Sequence, residues 1–88
     1  MREFEVRDLT GAILRAARAL AGVSAAQLAK ESGVGERTIL RAEREDGPVG
    51  MRAGNSRAIV ESLRNRGVKF MASGDEGGAG VRWERAAD

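Results

Sequence analysis

The sequence predicts a small, mainly α-helical domain of four helices followed by a C-terminal β-hairpin. Two observations predict this fold class. Up to residue 66, apolar residues recur every three or four positions, which is the period of one helix face. Beyond residue 66 the period falls to two, as in a strand. We therefore expect a charged N-terminal arm at 1–8, a helical domain at 9–66, and a hairpin with a tail at 67–88.

The first helix is predicted to begin after Thr10, a good N-cap residue, and to end at Gly22. In the arm before it, Phe4 and Val6 alternate with charged residues, which predicts a short added strand. The apolar face of the helix is expected to consist of residues that recur at its period: Leu9, Ile13, Ala16, Ala17 and Leu20.

Two short helices joined by a tight turn are predicted on either side of Gly33. Ser24, with Gln27 three residues later, has the pattern of a capping box and begins the second helix. Gly33 can end that helix in the left-handed conformation without a Cβ penalty. Gly35 begins the third helix, which is expected to run to about Glu45. Three apolar residues are predicted to pack between the two helices: Leu28, Val34 and Ile39. This layout is typical of a helix-turn-helix, whose second helix lies in a major groove.

A loop and a fourth helix follow. Glycine and proline indicate the loop at 46–54, and the helix is expected from about Asn55 to Asn65. Its buried stripe is predicted to consist of Ile59, Val60 and Leu63.

A β-hairpin is predicted at the C-terminal end of the chain. Val68 and Phe70 on one strand, and Val81 and Trp83 on the other, alternate with more polar residues on either side of a glycine-rich loop at 73–80. A two-stranded hairpin is only marginally stable alone in water. We therefore expect its aromatic residues to pack on the fourth helix or on a second copy of the chain.

The composition narrows the class of function. The chain of 88 residues has no cysteine, histidine or tyrosine, so the commonest metal ligands and general acids are missing. We expect no enzymatic activity, no cofactor and no metal. The charged N-terminus does not resemble a secretory signal, and no apolar run reaches the length of a membrane span. A cytoplasmic protein without a membrane partner is expected.

Several motifs occur in one order along the helical part of the chain: Leu28-Ala29, Gly33-Val34, Thr38-Ile39 and Glu43. Over roughly residues 10–66 they resemble the lambda-repressor/Cro-like (XRE) helix-turn-helix family. The tail motifs resemble those of short bacterial regulators in this family: Gly67-Val68-Lys69-Phe70 and Gly80-Val81-Arg82-Trp83. Two positions depart from the family pattern, because Ala25 replaces a glutamine that contacts phosphate and Gly35 replaces a serine or threonine.

The resemblance implies a lambda-repressor-like domain that binds double-stranded DNA, although four helices are counted in this sequence where the family commonly has five. The expected function is that of a sequence-specific transcription regulator, a dimeric repressor that reads the major groove with its third helix. Family members also pair the glutamate near the end of this helix with an arginine on the first helix. That resemblance implies an ion pair between Arg18 and Glu43, which would fix the third helix to the rest of the domain.

The base-reading residues are predicted from the period of the third helix. Arg37, Leu40, Arg41 and Arg44 fall at spacings of 0, 3, 4 and 7 residues, which places them on one stripe. Because arginine suits the edge of guanine, we expect base contacts from Arg37 and Arg41, with Glu36 beside them at the start of the helix.

Two further sets of residues are assigned. DNA-backbone contacts are expected from Ser24, Gly35, Thr38, Arg44, Arg52 and Arg57. Dimerisation is expected through the hairpin residues Val68, Phe70, Val81 and Trp83.

Other interpretations stay open at this point. The arginine stripe is also compatible with a solvated helix face, and acids in the same stretch oppose it unless the two charges face different ways: Glu36, Glu43, Glu45 and Asp46. An antitoxin or antiactivator of the same fold would have another protein as its main partner. A large apolar surface patch centred on Phe70 and Trp83 would favour that alternative. A third alternative is a scaffolding domain with no role on DNA.

Overall fold

Helices and one hairpin form the described part of this computed structural model, residues 2–84. About half of the chain is helical, and the predicted mainly α fold with a C-terminal antiparallel hairpin is confirmed. Residue 1 and residues 85–88 lie outside this part, so the predicted arm and tail are described only between those limits. The elements are α1 (Gly11–Ala21), α2 (Ala25–Ser32), α3 (Glu36–Ala42), α4 (Ala53–Asn65), β1 (Val68–Met71) and β2 (Gly80–Trp83).

One apolar core joins the helices. The predicted contact between α2 and α3 is present, because Leu28, Val34 and Ile39 are all buried. The predicted stripe of α4 is buried as well, and α4 packs against α2 and α1. The largest fully buried side chains are Leu9, Leu14, Leu28, Ile39, Ile59, Val60 and Leu63.

The boundaries of α1 agree with the sequence prediction, and its buried face agrees in part, because Leu9, Ile13 and Ala17 are buried as expected. The Thr10 hydroxyl accepts a hydrogen bond from the Ile13 amide at 3.1 Å, and Gly22 ends the helix with a φ of 65°. Leu14 is fully buried, whereas Ala16 and Leu20, which were expected on the buried face, are exposed. The helix carries apolar residues on most of its sides, so its period alone did not fix which side meets the core.

The starts of α2 and α3 lie where they were predicted, and the end of α3 does not. The Ser24 hydroxyl accepts from the Gln27 amide at 3.0 Å. The Gln27 side chain bonds Glu31 instead of returning to Ser24, so only half of the predicted capping box is formed. Gly33 has the expected left-handed backbone, with a φ of 79°. The third helix ends at Ala42, three residues before the predicted end at Glu45.

The early end of α3 coincides with a tight contact to the start of α1. A Cβ atom on Gly11 would lie only 1.8 Å from the Glu45 carbonyl oxygen and 2.5 Å from that of Ala42. The Gly11 amide donates to the Gly47 carbonyl at 2.8 Å. The chain that leaves α3 therefore turns against the first residue of α1, and only glycine fits there.

The N-terminal arm has no strand within the described residues, contrary to the prediction. It forms a short 3-10 helix at Val6–Asp8, and Arg2 bonds Asp8 at 2.7 Å. Phe4 is buried, with its ring centroid 5.0 Å from that of Phe70. The alternation of apolar and charged residues in the arm therefore reflects one aromatic anchor, not strand pairing.

The fourth helix begins at Ala53, two residues before its predicted start. No helix among residues 2–84 is long and apolar enough to span a membrane.

The hairpin packs on the helices of its own chain. Val68 is paired with Trp83, and Phe70 with Val81. The first strand contacts α4 and α1, and the second strand contacts α1. Val68 and Phe70 are buried in the core and Val81 is half-buried, so the side chains of Val68 and Phe70 are not available for the dimer contact predicted for them. Of the four predicted dimerisation residues, only Trp83 is an exposed large side chain, at 39%.

Candidate nucleic-acid interface

The third helix turns one side to the core and the other to solvent, as its period predicted. Ile39 and Ala42 are buried. Arg37, Leu40 and Arg41 are exposed. Within residues 2–84, the arginine-bearing side of the helix is therefore in contact with solvent.

Basic residues without a protein partner are concentrated in one stretch of the chain. Through the rest of residues 2–84 every lysine and arginine forms an ion pair or a hydrogen bond with an acidic side chain. The side chains that have no such partner among the described residues run from the end of α2 to the start of α4: Lys30, Arg37, Arg41, Arg44, Arg52 and Arg57. Within the described residues, the basic side chains without an acidic partner therefore fall in one stretch of the sequence, which includes α3.

The acids at the end of α3 are held by arginines of α1. The carboxylate of Asp46 bonds Arg15. That of Glu43 accepts from Arg18 Nε and Nη2, each at 2.7 Å. These two negative charges are thus neutralised on the side of the chain that faces α1, whereas Arg37 and Arg41 face solvent. Two of the four acids in this stretch of the sequence therefore do not reduce the positive charge on the exposed side of α3.

The ion pair expected between Arg18 and Glu43 is present and buried. Glu43 is only 8% exposed, and the hydrogen bond from Arg18 to Glu43 raises the pKa of the guanidinium. The remaining Arg18 nitrogen, Nη1, donates to the Val23 carbonyl at 3.1 Å. Since a buried charge is costly without a partner, this pair ties the end of α3 to α1.

The sequence analysis missed a second residue with this role. Arg15 Nη1 donates to the Glu43 carbonyl at 2.6 Å, where the carbonyls at the end of a helix lack partners within it. Arg15 lies three residues before Arg18 and therefore on the same face of α1. This spacing could have predicted the contact, because it places two arginines on the face of α1 that meets the acidic residues after α3.

The residues expected at the DNA backbone occupy three places. Ser24 is exposed at the start of α2, Gly35 is exposed at the start of α3, and Thr38 is half-buried. Arg52 and Arg57 are exposed at and near the start of α4.

Arg44 and Glu36, which were expected to contact DNA, lie near opposite ends of α3. Arg44 is exposed, but it lies two residues beyond the end of α3, in a turn whose amide bonds the Arg41 carbonyl at 3.2 Å. The helical spacing that placed Arg44 on the stripe therefore does not apply to it. Glu36 is the first residue of α3, where a carboxylate also interacts favourably with the helix dipole.

No protein-family model matches this chain, and no curated protein matches it either. We therefore infer its function from the arrangement of its own residues.

Proposed function

We propose that this chain is a non-enzymatic, sequence-specific DNA-binding transcription regulator with a lambda-repressor-like helix-turn-helix formed by α2 and α3. The observation that carries the proposal is the solvent-facing side of α3. It presents Arg37 and Arg41 without a protein partner among residues 2–84, while Glu43 is turned away to Arg18. A helix with this charge distribution suits the major groove, where guanidinium groups bind base edges and phosphates.

Arg37 and Arg41 are assigned to base edges. They are separated by one helical turn, a rise of about 6 Å. This is close to two base-pair steps of about 3.4 Å each. Each guanidinium can donate two parallel hydrogen bonds to O6 and N7 of a guanine. Glu36, at the start of the same helix, can accept from the amino group of a cytosine.

Phosphate contacts are assigned around this centre. The start of α2 at Ser24 offers backbone amides and a hydroxyl, and helix N-termini favour anions. Arg44, Arg52 and Arg57 supply positive charge outside α3. Contacts of this kind fix the orientation of a protein on the duplex but carry no sequence information.

The proposed assembly is a homodimer that acts as a repressor. Two third helices about 34 Å apart would read half-sites one helical turn apart. With Val68 and Phe70 buried, the proposed contact is centred on Trp83 and on the edge of β2 that does not face β1. Sedimentation equilibrium of the whole chain, compared with Trp83→Ala, tests this part independently of DNA.

The alternative with a protein as main partner is less well supported. A large apolar patch centred on Phe70 and Trp83 would favour it, and Phe70 is only 5% exposed. DNA binding is a secondary role in that alternative, so the exposed arginines of α3 do not by themselves distinguish the two functions. Substitutions distinguish the two functions: DNA binding depends on Arg37 and Arg41, whereas binding of a protein partner would depend on Trp83.

The test is DNA binding by the whole chain, first against a random duplex library and then against the selected sequence over a series of salt concentrations. We expect Arg41→Ala to lose about 1–3 kcal/mol of discrimination between the selected and a scrambled site. It should also show a shallower dependence of affinity on salt. The matched control is Arg82→Ala, which removes an exposed arginine of the hairpin. Equal affinities for Arg41→Ala and Arg82→Ala would contradict the proposal.

A further inference from the structure

The feature that carries a further inference is Leu40, an exposed leucine on the solvent-facing side of α3. It is 45% exposed and takes no part in the hydrophobic core or in the apolar residues packed against it. Leu40 is the most exposed of the three exposed large apolar side chains among residues 2–84; the other two, Leu20 and Trp83, lie on other elements. The hydrophobic core therefore does not account for a leucine at this position.

The orientation of Leu40 follows from helix geometry. Successive residues of an α-helix are rotated by about 100°. Leu40 precedes Arg41 by one position and follows Arg37 by three, so it lies beside both. The buried residues Ile39 and Ala42 are centred on the opposite side of the helix. Arg37 thus points most directly away from the core, and Leu40 and Arg41 lie on either side of it. Under the proposed function this side of α3 faces the floor of the groove.

A leucine can recognise one group there. The major-groove edges of base pairs carry hydrogen-bond donors and acceptors, and their one apolar group is the C5-methyl of thymine. A leucine pressed on a donor or acceptor would leave that group without a partner, which is unfavourable. Pressed on the methyl group, it buries apolar surface of both partners.

We propose that Leu40 is a specificity-determining residue that contacts the methyl group of a thymine next to the bases read by Arg37 and Arg41. This inference rests on the proposed function and extends it from a protein that binds DNA to a chemical description of the half-site. The half-site contains guanine for the arginines and, beside it, a thymine for the leucine.

The experiment replaces thymine by uracil, which pairs identically and lacks only the methyl group. The whole chain first selects its site from a random duplex library, and each thymine of that site is then replaced in turn. We expect one position at which uracil weakens binding of the unmodified chain about fourfold, the equivalent of burying one methyl-sized group at about 0.8 kcal/mol. Leu40→Ala should bind the thymine and uracil duplexes equally well at that position.

The matched control is Leu20→Ala, which truncates an exposed leucine of α1 and should keep the full response to uracil. Thermal melting of both variants verifies that they fold. If the unmodified chain does not distinguish thymine from uracil at any position, or if Leu40→Ala distinguishes them as well as Leu20→Ala does, the inference about Leu40 is overturned and DNA binding stands. If no sequence is enriched, the proposed function and this inference fall together.

Discussion

The buried pair of Arg18 and Glu43 allows a quantitative prediction about how α3 is held. Arg18→Met removes the guanidinium and keeps most of the apolar stem. Glu43 is only 8% exposed in the native structure, and the substitution removes the two hydrogen bonds that its carboxylate accepts at 2.7 Å. Removing one partner of a buried ion pair costs about 3–5 kcal/mol. Because Glu43 lies at the end of a helix near the surface, we expect the lower end of this range, about 3 kcal/mol.

The opposite substitution should cost less. In Glu43→Gln, the guanidinium of Arg18 keeps its bond to the Val23 carbonyl at 3.1 Å, and its side chain is partly in contact with solvent. The glutamine oxygen can also still accept one hydrogen bond. We expect Glu43→Gln to lower the free energy of unfolding by about 1.5 kcal/mol, the value of one hydrogen bond to a charged group. The double variant Arg18→Met/Glu43→Met removes both charges and should cost less than the sum of the single changes, by about 2 kcal/mol.

The assay is chemical unfolding of each variant, with thermal melting as a second reading. For a chain of this size, 1 kcal/mol corresponds to a shift in Tm of about 4–8 °C. The control is Glu61→Gln, which breaks an exposed pair with Arg64 of 3.4 Å and should cost no more than about 0.5 kcal/mol. If Arg18→Met costs no more than this control, the pair does not hold α3 and the reasoning is refuted.

Two further changes test the fold. Gly11→Ala should destabilise the protein by about 2–3 kcal/mol in chemical unfolding, because the new Cβ would lie 1.8 Å from the Glu45 carbonyl oxygen. A Cβ added at Gly54 in α4 would meet no other described part of the chain within 4 Å, so Gly54→Ala should stabilise the protein by about 0.5–1 kcal/mol. Equal effects of the two substitutions would refute the contact at Gly11. The hydrogen bond from Arg66 lowers the pKa of Glu31 from 4.5 to about 2. Glu31 therefore binds a proton more readily in the unfolded chain than in the folded protein. The stability that its pair with Arg66 contributes is present above pH 4.5 and is lost as the pH falls towards 2. Glu31→Gln should unfold with a weaker dependence on pH in this window, and an unchanged dependence would contradict the assignment.

Features that depend on neighbouring residues could be predicted from the sequence. The caps at Thr10 and Ser24 are hydrogen bonds to an amide three residues later. Gly22 and Gly33 end their helices with the left-handed backbone that glycine adopts most easily. Such features need only local spacing, and the structure has them where the sequence indicated.

Features that depend on distant residues could not be predicted. The third helix ends at Ala42 because α1 meets the chain there, through Gly11 and through Arg15, which is 28 residues from Glu43 in sequence. Phe4 is held by a ring from the hairpin. In each case the contacting residues are far apart in the sequence, so the spacing of neighbouring residues does not indicate the contact.

The candidate site shows the same division. The helical period was enough to place Arg37 and Arg41 outward and Ile39 inward. It could not show that Glu43 and Asp46 form ion pairs with arginines of α1, nor that Arg44 lies beyond the end of α3. The ion pair between Arg18 and Glu43 was foreseen, but from the family resemblance and not from the pattern of residues.

The most direct test of the central claim is to follow the backbone amides of the isotope-labelled chain by NMR as the selected duplex is added. We predict that the largest changes fall on α3 and on the first turn of α2, with small changes on β1 and β2. If the largest changes fall on the hairpin around Trp83, or if the duplex changes no amide of α3, then the exposed arginine side of α3 is not the surface that binds DNA.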